Sequence, residues 1–369
     1  MPELLNEDQQ QLAAKTQSFA ETHLLKLDAQ LSRESRAGII SAAREAGFFA
    51  MTQPKEYGGS AAGTLEMTVV RDVLGACNAP HQHLIFGPGP GVLAGADGEL
   101  RESHLAPLLR GEKRAGFGFT EPDDASAPTS AVADGDAWVV NGQKSYVTGG
   151  SEADFINTLV QIPELGPALL VVDTNTPGVT VARRFESLDG SHHAAFAFNG
   201  VRVPKSHLIG KPGEGLPRAM RQIGDTRLAI AAQCTGLLRW VDLYLSEYLL
   251  GNDRSGKPRG SKEGIRLRYA DARITSFAVR SMVYRTARLA DAGENIVNEA
   301  IACKVMATET IGNVVDNAIQ LVGGNALVAG HPLERLYRQV RSLRLAEGGS
   351  DVLRLNLARG RLELNKGRI

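Results

Sequence analysis

The stretch Thr129–Thr148, TSAVADGDAWVVNGQKSYVT, carries the signal that decides the fold. It holds two strand-like runs, each bounded by a turn signal, Asp134-Gly135 and Asn141-Gly142. Short β-rich runs follow at INTLVQI (156–162), ALLVVD (168–173), GVTVA (178–182) and AAFAFNGVRVP (194–204). Strands at regular spacing, with no helix between them, favour an antiparallel barrel or sandwich over an alternating βαβ sheet.

The residues on both sides of this β-rich zone have helical periodicity. Asn6 and Gln9 have the spacing of a capping box, which predicts the start of the first helix. Further helices are predicted over 65–77 and 99–109, and after Gly215 the apolar residues recur every three or four positions over long stretches. We therefore predict an α+β protein with an N-terminal helical domain (1–114), a middle β domain (115–212) and a C-terminal helical bundle (213–369).

Composition restricts the classes of function. The chain has 369 residues, with 41 Lys and Arg against 41 Asp and Glu, so its formal net charge is 41 − 41 = 0. A neutral chain gives no bulk electrostatic reason to expect nucleic acid or an anionic membrane as a partner. No apolar run approaches the ~18 residues that a membrane span requires, and the polar N-terminus does not resemble a secretory signal. We expect a cytoplasmic protein.

Searches for common catalytic and metal-binding motifs give negative results. The three cysteines, Cys77, Cys234 and Cys303, are far apart and form no C-x-x-C pair. The histidine pairs at 81/83 and 192/193 have no carboxylate or Cys partners nearby in the sequence, so no metal site is predicted. A phosphate-binding loop, a dinucleotide fingerprint and a G-x-S-x-G elbow are all missing from the sequence.

Several stretches together resemble the acyl-CoA dehydrogenase family. FGFTEPDDAS (117–126) is similar to the T-E-P hallmark of that family, and VNGQKSYVTGG (140–150) to its N-G-x-K-x-[WYF] motif. NGVRVPKSHLIGKPGEGL (199–216) and GDTRLAIAA (224–232) resemble the segments that lead into its long helix and carry its arginine. QLVGGNAL (320–327) and RLAEGGSDVLRLNLARG (344–360) are similar to its C-terminal motifs. The resemblance covers nearly the whole chain in the family's order.

This resemblance implies an FAD-dependent oxidoreductase that removes an α-proton and a β-hydride from an acyl thioester and leaves a trans-2-enoyl thioester. The chemistry needs a carboxylate base on one side of the acyl chain, flavin N5 on the other side, and donors to the thioester oxygen. Glu347, in A-E-G-G, matches the base. In the family, the backbone N–H of the base and a flavin hydroxyl hold the carbonyl. Read without the motifs, Glu347 is an acidic residue before a helix start.

The resemblance also assigns flavin contacts in the β-rich zone. Thr120 matches the residue at the edge of the isoalloxazine, and Phe119 is its backbone-contact neighbour. Ser126 matches a serine that faces the pyrophosphate and is also counted among the substrate contacts. Tyr146 stands where an aromatic residue stacks beside the ring, and Thr148 where a hydroxyl contacts the N5 side. Each of these residues alone is an ordinary strand residue.

Further contacts are implied near the C-terminus. Gly348 and Gly349 allow close approach of the backbone to the substrate and flavin, Arg227 matches an arginine near the pantetheine, and Asp351 lies at a position that faces the flavin adenosine. A structural salt bridge is an equal alternative for Arg227. The remaining contacts implied for the adenosine, made from a neighbouring subunit, are Gln320, Gly323 and Gly324.

Two departures leave alternatives open. The family's R-x-x-F-G, whose Arg and Phe contact the partner's flavin, is replaced here by Asn252–Gly256, with Asn252 and Ser255 at the Arg and Phe positions. Ala346 stands where some members carry Tyr. Weak flavin binding, or a flavin-poor non-catalytic member, is therefore an alternative, as is a flavin monooxygenase or oxidase. The expected partners are acyl-CoA or acyl-carrier protein, electron-transfer flavoprotein or another acceptor, and identical subunits in a dimer or tetramer.

Overall fold

A computed structural model describes residues 4–27, 30–365 and 369. The chain divides into two compact units. The helical unit comprises the described parts of Met1–Phe48, Ala62–Phe86 and Gly224–Ile369, and the β unit comprises Phe49–Ala61 and Gly87–Ile223. A division into three domains along the chain remains a prediction, whereas the order of helical, β-rich and helical sequence is confirmed.

The helices before the β-rich zone are α1 (Glu7–His23), α2 (Arg33–Glu45) and α3 (Thr64–Ala76), followed by the short α4 (Gly98–Leu100) and α5 (Ala106–Arg110). The long C-terminal helices are α6 (Gly215–Leu250), α7 (Glu263–Asp291) and α8 (Val297–Val322), followed by α9 (Pro332–Leu343) and α10 (Ser350–Leu362). The bounds of α3 lie within one residue of the predicted 65–77.

Local chemistry explains several helix starts and crossings. The capping box predicted at Asn6 is present, since its side chain accepts from Gln9 N and its own N–H donates to Gln9 Oε1. Asp291 accepts from Thr64 N and Leu65 N at the start of α3. α3 and α6 cross in close contact at Gly236, where a Cβ would lie 2.0 Å from Asp72 O. Only glycine fits such a contact.

The core of the helical unit is apolar and encloses a buried carboxylate, that of Asp72. Leu237, Val283 and Ile311 belong to a continuous cluster of buried side chains from α6, α7 and α8. Asp72 is buried and accepts hydrogen bonds from four side chains, those of Thr235, Arg239, Arg280 and Tyr284. A buried carboxylate is tolerated because donors satisfy it.

The strands of the β unit are β1 (Ala115–Gly118), β2 (Ser130–Asp134), β3 (Ala137–Thr148), β4 (Phe155–Ile162), β5 (Gly166–Asp173), β6 (Val179–Glu186), β7 (His192–Pro204) and β8 (Leu208–Ile209). They form an eight-stranded mixed sheet in the order β6-β7-β3-β2-β4-β5-β8, with β1 paired to β4. Most pairs are antiparallel, but β1 and β2 both run parallel to β4, which the hairpin pattern did not indicate.

One of the two turn predictions is wrong. Asp134-Gly135 does join β2 to β3, but Asn141-Gly142 lies inside the continuous strand β3, where the pairing with β7 shifts register. Gly142 has φ +140°, and a Cβ there would lie 2.5 Å from Thr129 Cα. Asn141 Oδ1 accepts from Gly200 N across the sheet. The Asn-Gly pair therefore lies opposite a β-bulge, whose extra residue is on β7, and not in a hairpin.

The helix predicted over 99–109 is interrupted. α4 passes into a π-helical turn, Arg101–Leu105, before α5 begins at Ala106. Leu100, Leu105 and Leu109 remain buried on one side and pack with Phe155 and Leu169 of the sheet. None of the helices in the described residues is long and apolar enough to cross a membrane.

Candidate active site

Glu347 lies in the loop between α9 and α10, and its backbone has a left-handed conformation. Its φ is +55° and that of Gly348 is +105°. A left-handed conformation is uncommon for a residue with a Cβ and costs ~1–2 kcal/mol. Gly349 then forms the N-cap of α10. A Cβ on Gly348 would lie 3.1 Å from Leu353 Cδ2, so both its φ and its packing favour glycine.

Two cationic side chains hold this loop by its carbonyl groups. Arg227 Nε, from α6, donates to Glu347 O at 3.0 Å. Lys304 Nζ, from α8, donates to Gly348 O at 2.8 Å and to Arg344 O at 2.9 Å. Both side chains are buried. The chain on both sides of the Glu347 side chain is therefore fixed by charge-assisted hydrogen bonds.

The electrostatics of the three groups are coupled. Burial raises the pKa of Glu347, and the charges of Arg227 and Lys304 oppose this rise without cancelling it. Burial, reinforced by the Arg227 charge, lowers the pKa of Lys304 to about 8. Burial also lowers the pKa of Arg227, against the opposing charge of Glu347. A partly desolvated carboxylate with a raised pKa, held beside two fixed cations, is suited to act as a general base.

Lys304 was not identified from the sequence. A lysine within the apolar run IACKVMA, Ile301–Ala307, interrupts an otherwise buried helical face, and that interruption is the only sequence signal it leaves. Its side chain is fully buried. A buried lysine requires partners, and here the partners are the backbone carbonyls of the Glu347 loop.

In the β unit, the structure brings together four of the residues assigned to the flavin. Thr120 O accepts from Ser145 N at 2.8 Å, which places the Phe119–Thr120 segment beside Tyr146. Tyr146 lies at a register shift of β3 with φ +53°, and its ring is 65% exposed. Thr148 Oγ1 lies 3.3 Å from His193 Nδ1 on the neighbouring β7.

A buried lysine, Lys144, holds the Phe119–Thr120 segment by hydrogen bonds. Lys144 is 1% exposed, and its Nζ donates to Glu121 Oε1 at 2.7 Å and to Phe119 O at 3.3 Å. Glu121 Oε1 also accepts from Thr129 N, which closes the loop that carries the exposed Ser126. Burial raises the pKa of Glu121, but the bonds from Lys144 and Thr129 outweigh it and hold the pKa below its ordinary value.

These residues fit a flavin. The exposed ring of Tyr146 packs edge-on against Phe185, with centroids 5.2 Å apart, and so offers an aromatic surface on which a flat ring can stack. Thr120, Ser126 and Thr148 are all exposed and present hydroxyl groups on the same unit. Hydroxyl donors and a free aromatic surface are what a polar tricyclic ring needs for binding.

Other assigned residues lie elsewhere in the helical unit. Gln320, at the end of α8, is sixteen residues from Lys304, which corresponds to ~24 Å along a helix. Gly323 and Gly324 follow at the helix end and are exposed. The structure therefore separates this group from Glu347 within the chain. Asp351 is fully exposed, and one of its carboxylate oxygens lies 3.6 Å from Arg354 Nη1.

The segment that departs from R-x-x-F-G forms a tight local turn. Asp253 N donates to Lys257 O, and Gly256 N donates to Asp253 O. Bonds from Ser255 and Lys262 hold the pKa of Asp253 well below its ordinary range. Asn252, Arg254 and Ser255 are exposed. The turn is thus ordered by its own polar side chains, and Arg254 remains on the outside.

Comparisons with known proteins cover most of the chain. Three domain models match: the N-terminal domain of acyl-CoA dehydrogenase over residues 6–112, the middle domain over 116–201 and the C-terminal domain over 213–362. Acryloyl-CoA reductase (NADH) of Anaerotignum propionicum is 30% identical over 375 residues, which covers 96% of this chain and 94% of that protein.

Mitochondrial short-chain specific acyl-CoA dehydrogenase of Bos taurus is 29% identical over 373 residues, or 96% of this chain and 90% of that protein. The solved structure of butyryl-CoA dehydrogenase from Megasphaera elsdenii superposes with a TM-score of 0.82 at 22% identity, covering 96% of this chain and 97% of the other. At that identity the superposition shows the fold alone. With the domain models and the 30% identical relative, these matches show that the chain belongs to the acyl-CoA dehydrogenase family of FAD-dependent oxidoreductases.

Proposed function

We propose that this enzyme dehydrogenates an acyl-CoA to the trans-2-enoyl-CoA, with Glu347 as the base that takes the α-proton. The observation that favours this most directly is the way in which the structure holds Glu347. Its backbone is held in a left-handed conformation by Arg227 and Lys304, and burial raises the pKa of its carboxyl group. A residue kept in a strained conformation by two buried cations is positioned for a task other than stability.

The same loop offers a donor for the thioester oxygen. Among the described residues, none accepts a hydrogen bond from Glu347 N–H, while the flanking carbonyls of Glu347 and Gly348 are occupied by Arg227 and Lys304. As the α-proton moves to the Glu347 carboxylate, negative charge develops on the thioester oxygen. A prepositioned backbone N–H stabilises that charge. Both functions then belong to one residue.

Arg227 acts in this proposal by positioning the loop and by its charge. Its Nε donates to Glu347 O, and the residue is 5% exposed. Of the two roles expected from the sequence, a structural role is therefore better supported than a direct contact with the pantetheine. Bound FAD supplies the acceptor for the β-hydride at N5. Phe119, Thr120, Tyr146 and Thr148 are proposed to hold its ring system, and Ser126 its pyrophosphate or the substrate.

The relatives favour coenzyme A as the thiol and leave the direction of the reaction open. Both sequence relatives are named after CoA substrates, one as a dehydrogenase and one as a reductase that uses NADH. We propose acyl-CoA rather than acyl-carrier protein, and electron-transfer flavoprotein as the acceptor. Gln320, Gly323, Gly324 and Asp351 are proposed to contact the flavin adenosine, the first three from a neighbouring subunit.

Anaerobic bleaching of the bound flavin tests the proposal. The FAD-loaded enzyme is mixed with a series of acyl-CoAs, with acyl-carrier proteins as a second arm. Glu347→Gln is expected to slow bleaching by ~10²–10⁴-fold, the usual contribution of a positioned base. Glu363→Gln, an exposed glutamate paired with Arg359 on the last helix, is the control and should bleach at the original rate.

Other outcomes would select an alternative. Bleaching that persists in Glu347→Gln would contradict the assignment of the base. NADH-driven oxygen uptake without bleaching by thioesters would support a monooxygenase or oxidase. Failure to take up FAD under any condition would support a non-catalytic member.

A further inference from the structure

A cluster of two histidines and an aspartate, none of them assigned above, lies in the β unit. One ring nitrogen each of His104 and His207 and one carboxylate oxygen of Asp173 lie within 4.8 Å of one another. His104 Nε2 is 3.0 Å from Asp173 Oδ1. The two imidazole rings meet edge-on, with centroids 4.8 Å apart. Both histidines are buried, and the aspartate side chain is 30% exposed.

Three different segments converge here. His104 lies in the π-helical turn Arg101–Leu105, Asp173 ends β5, and His207 lies in the 3-10 turn Lys205–His207. A π-helical turn inside a helix is rare and is found mostly at functional sites. The sequence pattern favours an uninterrupted α-helix there, whereas the π-helical turn holds His104 within 3.0 Å of Asp173.

The hydrogen bonds on the far side of each ring determine which nitrogen is available. Val171 O can only accept, so His207 Nδ1 carries the proton of their 3.1 Å bond. Ser103 Oγ donates to Glu99 O at 2.6 Å and therefore accepts from His104 Nδ1 at 2.8 Å. In the neutral form, each ring then keeps its lone pair on Nε2. Metal-binding histidines are oriented by the same type of hydrogen bond from the second ring nitrogen.

The short contact between His104 and Asp173 needs a positive group. Their Nε2 and Oδ1 atoms lie 3.0 Å apart and can be bridged either by a proton on Nε2 or by a metal ion that both atoms bind. One carboxylate and two neutral imidazoles carry a net charge of −1. The nearby charged groups, Lys113 and Glu99, are of opposite sign.

We propose that His104, Asp173 and His207 bind one divalent transition-metal ion of the zinc type. Two imidazole nitrogens and a carboxylate oxygen, with a further position open to water, are an established ligand set for such ions. Bonds of ~2.1 Å in a tetrahedral site separate ligand atoms by ~3.4 Å; His104 Nε2 and Asp173 Oδ1 are 3.0 Å apart, and all three ligand atoms lie within 4.8 Å of one another. The ion would connect the π-helical turn, β5 and the turn before β8, and it takes no part in the dehydrogenation.

Zinc binding by the full-length, FAD-loaded enzyme tests the proposal. After removal of loosely bound metal with a chelator, titration with Zn²⁺ by calorimetry should show one site per chain. Asp173→Asn and His207→Gln should each weaken that site by about tenfold or more, because each removes one ligand. His192→Gln, an exposed histidine on β7, is the control and should bind zinc as the original enzyme does.

X-ray absorption at the zinc edge gives a result that does not depend on any variant folding. The original enzyme with one equivalent of zinc should show imidazole scattering and nitrogen or oxygen ligands at ~2.0–2.1 Å. No zinc binding, or zinc binding that is unchanged in both Asp173→Asn and His207→Gln, would overturn the proposal. A spectrum without imidazole scattering would do the same.

Discussion

At the scale of single residues, Glu347 combines a conformation and an environment that both cost stability. Its left-handed backbone is strained, and its carboxyl group is partly desolvated beside Arg227 and Lys304. Such combinations are concentrated at functional sites. The sequence identified this residue through its resemblance to a family motif, because the spacing of A-E-G-G alone also fits a helix start.

The pH dependence of activity follows from the direction of the Glu347 pKa. The base acts only when ionised, so kcat/KM should rise with pH through a pKa that burial has raised above the ordinary glutamate value. Arg227 holds this pKa down. Arg227→Gln should therefore move the acid limb of the profile to higher pH, in addition to lowering the rate.

The control is Arg221→Gln, an exposed arginine on the same helix. Its profile should overlay that of the original enzyme. An acid limb that stays in place, or moves to lower pH, in Arg227→Gln would show that the arginine charge does not act on the base. The profile is measured with one acyl-CoA at concentrations well below KM.

At the scale of elements, α8 supports the loop that carries the base. Lys304 bonds to Arg344 O and Gly348 O, on either side of Glu347. Lys304→Met keeps the apolar length of the side chain and removes both bonds. Because a displacement of ~1 Å at a reacting group can cost ~10²-fold, we expect kcat to fall by ~10–100-fold with a smaller change in KM.

Asp316→Asn, on the exposed face of the same helix, provides the comparison for Lys304→Met. It should leave kcat unchanged, and both variants should retain their helical circular dichroism. If Lys304→Met has the same kcat as the original enzyme, then Lys304 does not position the base and its role is structural only.

The strands and helices were predicted well where one signal dominates. Alternation gave β4, β5 and β7, and the three-to-four spacing gave α6, α7 and α8. Local signals with two meanings were less informative. Asn-Gly is compatible with a hairpin or with a position beside a bulge, and the register of β3 against β7 decides for the bulge. The π-helical turn at His104 leaves the apolar pattern unchanged, so no periodicity could reveal it.

The bulge can be tested by comparing two glycines that both have positive φ. A Cβ at Gly142 would lie 2.5 Å from Thr129 Cα, while a Cβ at Gly135 has no atom within 4 Å. Gly135→Ala should lower the free energy of unfolding by ~1 kcal/mol, the strain of the left-handed conformation alone. Gly142→Ala adds a backbone clash and should cost at least ~2 kcal/mol more, at the scale of an overpacked core. Urea denaturation of both variants measures the difference, and equal losses would mean that the strand relaxes around the new methyl group.

At the scale of the whole molecule, the family could be recognised because its motifs are spread over the chain in order. The positions of distant residues relative to one another could not be predicted from the sequence. Nothing in the sequence shows that Gln320 is separated from Glu347 by most of a long helix, or that His104, Asp173 and His207 meet. These arrangements depend on residues from distant segments, which no local pattern records.

At this scale, we expect FAD to be retained less well, because the chain departs from the family's R-x-x-F-G motif. The family's arginine and phenylalanine are replaced by Asn252 and Ser255, and the turn that contains them is ordered by Asp253. Losing an aromatic contact and a charge-assisted contact costs ~1–3 kcal/mol each. The purified enzyme should therefore release FAD during extensive dialysis, as measured by its flavin absorbance per chain.

Arg254 is the cation of this turn that lies nearest in sequence to Asn252, and we expect it to replace part of the missing contact. It is exposed on the outside of the turn, two residues from the position of the family's arginine. If it contacts the flavin adenosine of a neighbouring subunit, Arg254→Gln should weaken FAD binding by about tenfold, since a charge-assisted bond of ~1.4 kcal/mol corresponds to that factor. Lys257→Gln, an exposed lysine of the same turn, should leave the affinity unchanged. Full retention of FAD by the original enzyme after dialysis would show that other contacts compensate for the altered segment, and equal affinities in both variants would exclude Arg254 from the cofactor site.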